Sequence, residues 1–181
     1  LYAYGKEDNQ KWIIVDMGVT FADDSIPGID LIFPDPGFIL DKKEDLLGIV
    51  LTHAHEDHIG AVAHIWPSLK CKMYATPFTA ALIYEKFKEK KIDISSYLKI
   101  VPLNSKIKLG AFEIDFVTLT HSILEPNGLS ITTPLGTILH TGDWKIDPNP
   151  LIGGAIDEKK LKAIGDKGVS AMICDSTNIF S

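Results

Sequence analysis

Cysteine is nearly absent: Cys71 and Cys174 are the only two in 181 residues. Each lies in or beside an apolar, strand-like run, so reduced, buried thiols are expected and no disulfide is required. No run of eighteen apolar residues occurs, so no transmembrane helix and no membrane partner are expected. The opening Leu-Tyr-Ala-Tyr-Gly-Lys-Glu-Asp lacks the basic and apolar regions of a signal peptide. A cytoplasmic protein is the simplest reading. There is also no initial methionine, which suggests a fragment or a processed product. Positive charge is in deficit: 18 basic against 24 acidic residues give a net charge of −6. That argues against a general nucleic-acid coat, because phosphate binding is driven mainly by basic side chains. What is present is a hydrophobic content of 45 %, enough for a substantial core. The length suits one domain.

The chain is organised around Thr52-His53-Ala54-His55-Glu56-Asp57-His58-Ile59-Gly60. These residues directly follow Leu47-Gly48-Ile49-Val50-Leu51, an apolar run that reads as a buried strand. Three histidines and an aspartate are thereby delivered to the carboxyl end of a sheet. Imidazole nitrogen and carboxylate oxygen suit borderline divalent metals. His53 and His55 alternate, so in an extended segment they point to the same side. Asp57 and His58 follow a turn and would face a second metal position, the divided ligand set that a dinuclear hydrolytic site needs.

Elsewhere, residues 11–17 read as a strand ending in Asp16, with Gly18 as a turn signal. Residues 19–45 read as a long irregular connection, of the kind that covers a site. Residues 59–66 read as a short helix stopped by Pro67, with His64 outside the motif. A strand over 71–75 precedes a helix over 77–91, capped near Thr76-Pro77, with Ala81, Leu82, Ile83, Tyr84 and Phe87 as its apolar face. Its lysine-rich end reads as a solvated face. Strands are expected over 99–103, 106–109 and 112–119, the last leading into Thr120-His121-Ser122. A hairpin over 129–133 and 136–140 ends in His140-Thr141-Gly142-Asp143-Trp144-Lys145-Ile146-Asp147. A helix opened by Asp157 and a strand over 169–174 follow, and the strand ends in Asp175-Ser176-Thr177-Asn178.

The His-x-His-x-Asp-His segment resembles the metal motif of the metallo-β-lactamase superfamily. Thr-His-Ala-His-Glu-Asp-His-Ile-Gly-Ala and His-Thr-Gly-Asp-Trp-Lys-Ile-Asp-Pro are similar to its β-CASP nuclease branch, within it the bacterial ribonuclease J family. The resemblance implies an α+β fold, the four-layer αββα sandwich, of which this chain would be the N-terminal part. A metallo-β-lactamase domain would span 1–174, and 175–181 would begin a β-CASP insertion. Asp16 would match the first motif aspartate, which orients metal ligands. His53, His55 and His121 would bind one metal, and Asp57 and His58 the other, with Asp143 bridging both. Asp175 would open the insertion's first motif and act with a later histidine on the leaving group.

The implied function is hydrolysis of RNA phosphodiesters, as 5′-exonuclease and endonuclease. Two divalent ions, zinc first with manganese or magnesium as alternatives, would hold the attacking hydroxide. Asp57 would orient that nucleophile or take its proton. The deficit of basic residues does not exclude this, because bound divalent cations reverse the local sign of charge. A homo-oligomer, dimer or tetramer, is implied for the full-length protein. Thioester or β-lactam hydrolysis is the enzymatic alternative, and an inactive truncated or scaffold domain is the non-catalytic one.

Overall fold

A computed structural model of the chain describes residues 1–177 and 179. The chain divides into two compact units, residues 1–100 and 101–181.

In the first unit, β1 (Tyr2–Tyr4) pairs antiparallel with β2 (Lys11–Val15). The connection that follows is less irregular than its sequence suggests. It holds a two-residue antiparallel pair, β3 (Thr20–Phe21) with β4 (Leu31–Ile32), and one helical turn, α1 (Gly37–Leu40). Two of its aspartates serve local turns. Asp23 accepts from the Ser25 amide at 2.9 Å and Asp35 from the Gly37 amide at 2.8 Å, bonds that give short polar segments structure without any hydrophobic period.

The apolar run becomes β5 (Leu46–Val50), parallel to β2 with Val15 beside Val50. It feeds α2 (Glu56–Ile59) and then α3 (Val62–Leu69). Pro67 lies inside α3 rather than ending it. It removes the bond its own amide would give to the Ala63 carbonyl and its ring crowds that carbonyl, and the helix runs only two residues further. The helix stops at Lys70, in the left-handed conformation at φ 49°. Strand β6 (Met73–Ala75), α4 (Pro77–Glu89) and β7 (Leu98–Ile100) complete the unit, with the sheet order β1-β2-β5-β6-β7.

The buried face of α4 is Thr79, Ala80, Ile83 and Phe87, a stripe at helical spacing. Ala81, Leu82 and Tyr84, expected on that face, are exposed instead. Phe87 and Tyr97 pack edge-on against Trp66, with ring centroids 5.2 Å and 5.1 Å away. The Trp66 indole donates to the Cys71 carbonyl at 2.7 Å.

Burial pushes the Cys71 thiol up to about 12, whereas Cys174 is exposed. Only thiolate reacts with disulfide reagents. Ellman titration of the native chain is therefore expected to label Cys174 promptly and Cys71 only on unfolding. Equal rates at both thiols would contradict this burial.

The second unit is a five-stranded sheet of order β12-β11-β10-β9-β8. Its strands are β8 (Lys106–Leu109), β9 (Phe112–Thr118), β10 (Asn127–Thr133), β11 (Gly136–His140) and β12 (Ala171–Ile173). Phe112, Ile114 and Phe116 are buried at alternate positions, as the period of two predicts. On another face, Val117 and Leu119 pack with Ile164 of α5 (Glu158–Lys167). Asp157 caps α5, accepting from the Lys160 amide at 3.0 Å. The final pair, β11 with β12, is parallel, so both strands end at the same edge. Of the stretch 175–181, Asn178, Phe180 and Ser181 lie outside the described residues.

Candidate metal centre

Each unit gathers its polar motif at the carboxyl ends of its strands. In the first unit, the parallel pairing of β2 and β5 brings Asp16 beside Thr52. The Asp16 amide donates to the Val50 carbonyl at 3.0 Å, and its backbone turns left-handed at φ 57°. Its carboxylate then accepts from the Thr52 amide at 2.8 Å and the Thr52 hydroxyl at 2.7 Å. His58 Nδ1 reaches the same carboxylate at 2.7 Å. With Nδ1 donating there, the lone pair of His58 falls on Nε2, which lies 3.6 Å from an Asp57 carboxylate oxygen.

Thr52 carries the same logic to His53. Having donated to Asp16, its hydroxyl accepts from His53 Nδ1 at 3.0 Å, which leaves the lone pair of His53 on Nε2. His53 Nε2 and His55 Nδ1 then face each other at 3.2 Å. A cation between them would hold both nitrogens as ligands. His53 and Thr52 are fully buried, whereas the Asp57 side chain is mostly exposed.

A backbone clamp holds this loop in place. The Met17 amide donates to the His58 carbonyl at 2.7 Å and the Val19 amide to the Glu56 carbonyl at 3.0 Å; the Ala61 amide donates to the Met17 carbonyl at 3.0 Å. Gly18 sits at the centre of the clamp, so close that an added Cβ would stand 1.6 Å from the Asp57 carbonyl oxygen. Thr52 opens the motif and Gly18 reads as a turn signal, but the contacts each makes here were not part of that reading. Their signals were a hydroxyl beside the first histidine and a glycine two residues after a strand-end aspartate.

In the second unit, His121 follows β9 and Asp143 follows β11. Thr120 and Lys145 form an antiparallel bridge, the Lys145 amide donating to the Thr120 carbonyl at 2.9 Å. This brings His121 Nε2 to 3.5 Å from an Asp143 carboxylate oxygen. Asp175, at the end of β12, donates its amide to the Thr141 hydroxyl at 3.1 Å. Its carboxylate accepts from the Thr177 amide at 2.9 Å and hydroxyl at 2.7 Å. His140 is the last residue of β11, and His64 stacks on Phe33 with centroids 4.6 Å apart.

The chain belongs to the beta-lactamase superfamily, whose domain matches residues 11–161. Its sheets and helices are the α+β architecture of the metallo-β-lactamase fold. YhfI of Bacillus subtilis, a metallo-beta-lactamase fold protein, superposes with a TM-score of 0.51 at 17 % identity, over 81 % of this chain and 55 % of its own. A protein of unknown function from Enterococcus faecalis V583 superposes with a TM-score of 0.57, also at 17 % identity, over 98 % of this chain and 46 % of that one.

Sequence relatives are more specific. Ribonuclease J of Sinorhizobium meliloti is 44 % identical over 178 residues, which is 98 % of this chain. Ribonuclease J of Helicobacter pylori is 40 % identical over 92 % of it, and ribonuclease J 1 of Streptococcus pyogenes 37 % over 97 %. The chain spans between 24 % and 32 % of the length of these three relatives.

Proposed function

We propose that the chain carries the metal centre of a hydrolase that cleaves RNA phosphodiesters. The identity of 37–44 % to proteins named ribonuclease J, along almost its whole length, carries this reading. The donor chemistry fits a pair of divalent ions: each unit presents imidazole nitrogen and carboxylate oxygen together, and two of the histidines have their second nitrogen engaged by oxygen. On this reading His53, His55, His121 and Asp143 hold one ion, and Asp57, His58 and Asp143 the other. Zinc is the first candidate, with manganese or magnesium as alternatives.

When bound, the ions would supply an activated water and a counter-charge for the phosphorane-like transition state. The chain's own residues do the rest. Asp16 fixes Thr52 and His58, and through Thr52 the tautomer of His53. Asp57, exposed beside His58 Nε2, is placed to accept a proton from the attacking water or to align it. Asp175 would act on the leaving group with a histidine from a β-CASP insertion beginning at 175–181. A cytoplasmic location, 5′-exonuclease with endonuclease activity, and a dimer or tetramer of the longer protein belong to the same reading.

The test is a substrate panel. Metal-loaded protein is expected to cleave 5′-phosphorylated RNA, to stop when the metal is chelated, and to leave thioesters and β-lactams intact. Thioester or β-lactam turnover without RNA cleavage would replace this reading with another hydrolase of the superfamily. No turnover of any substrate, with metal bound, would favour a scaffold domain.

A further inference from the structure

Beside His121 lies a cavity of about 290 Å³ that no role given above uses. Its polar wall is Ser122, Lys145 and Asp147; its apolar wall is Pro150, Leu151 and Ile152. The bridge between Thr120 and Lys145 fixes the lysine's backbone next to the histidine. Leu151 is wholly exposed and Ile152 half exposed, so neither strengthens the core. An apolar wall left open around a polar floor is the mark of a binding surface. The sequence contains no arginine, so a permanently charged side chain that this chain offers to a phosphate is a lysine. Lys145 pairs with Asp147 at 3.2 Å, its own side chain more than half exposed. Such pairs stabilise little, so the ammonium can turn to a phosphate at small cost. Asp147 loses little by that exchange, because the Asn149 amide also holds its carboxylate, at 3.0 Å.

We propose that this cavity receives the nucleotide adjoining the scissile phosphate of a single-stranded RNA. Leu151 and Ile152 pack on its base, and Lys145 meets its phosphate. Single-stranded nucleic acid requires this pairing of a cation for the backbone with an apolar surface for the base. Ser122 and Asp147 offer acceptors to the ribose 2′-hydroxyl. The inference rests on the RNA phosphodiesterase reading and gives that site a nucleotide-binding wall.

Fluorescence anisotropy tests it, using the zinc-loaded chain and a labelled phosphorothioate RNA hexamer that resists cleavage. The same hexamer without bases is the second probe. The double variant Leu151→Ser, Ile152→Ser is expected to bind the RNA about tenfold more weakly and the abasic chain within about twofold of wild type. Lys145→Gln is expected to weaken both. Thermal melting of each variant should match wild type, since these side chains are exposed. A double variant that binds the RNA like wild type, or loses both probes equally, overturns the base-binding wall. A Lys145→Gln variant unchanged on both probes overturns the phosphate contact. Wild type binding neither probe would overturn the RNA reading itself, and this inference with it.

Discussion

Gly18→Ala is expected to unfold or severely destabilise the first unit. The new methyl group would stand 1.6 Å from the Asp57 carbonyl oxygen and 1.9 Å from its carbon, both backbone atoms. Neither side can retreat cheaply, because three backbone hydrogen bonds tie Met17 and Val19 to Glu56, His58 and Ala61. Separating the loop after β2 from α2 breaks those bonds and displaces Asp57 and His58 together. Losses above about 4 kcal/mol are characteristic of such forced rearrangements. Thermal unfolding should therefore shift down by about 10 °C or more, and metal retention should fall with it. Gly154→Ala is the control, since a Cβ there meets nothing within 4 Å. An unchanged melting temperature for Gly18→Ala would mean that the clamp is loose.

Asp16 variants should separate stability from metal affinity. Asp16→Ala leaves the Thr52 amide, the Thr52 hydroxyl and His58 Nδ1 without their acceptor, and each buried donor left unsatisfied costs about 1–3 kcal/mol. Alanine also tolerates the left-handed backbone at this position poorly, by about 1–2 kcal/mol. Asparagine adopts that conformation readily and keeps one carbonyl oxygen. It cannot accept from Thr52 and His58 as a carboxylate does. Asp16→Asn should therefore destabilise the fold less than Asp16→Ala yet bind metal about 10- to 100-fold more weakly, the usual cost of removing a ligand's orienting partner. Asp16→Ala should lose both properties. Isothermal titration with zinc beside thermal melting reads the two effects. Wild-type zinc affinity in both variants would deny Asp16 its orienting role.

Much of this arrangement was legible in the residues themselves. Apolar runs ending in His or Asp mark β5, β9 and β11, because burying a strand requires apolar residues and its exit into a polar loop marks the sheet edge. The Asp157 cap of α5 was legible for the same local reason. Other features were less legible, each for its own physical reason. Asp16 is ambiguous by itself and takes an orienting role only from the resemblance, because the parallel register of β2 and β5 that brings it to Thr52 is not written locally. The 20–32 pair and α1 rest on aspartate-capped turns with no hydrophobic period. The face of α4 was misjudged because Leu82 and Tyr84 are apolar but lie off the stripe set by Ile83 and Phe87.

On the proposed reading, His53, His55, Asp57, His58, His121 and Asp143 would hold two divalent ions, and both would depend on Asp143. Elemental analysis of the zinc-loaded, desalted chain tests it most directly, with Asp143→Ala alongside. Two ions per chain in the wild type, with at least one lost in the variant, is the predicted result. A wild-type chain that retains fewer than two ions, or an Asp143→Ala chain that retains both, would contradict it.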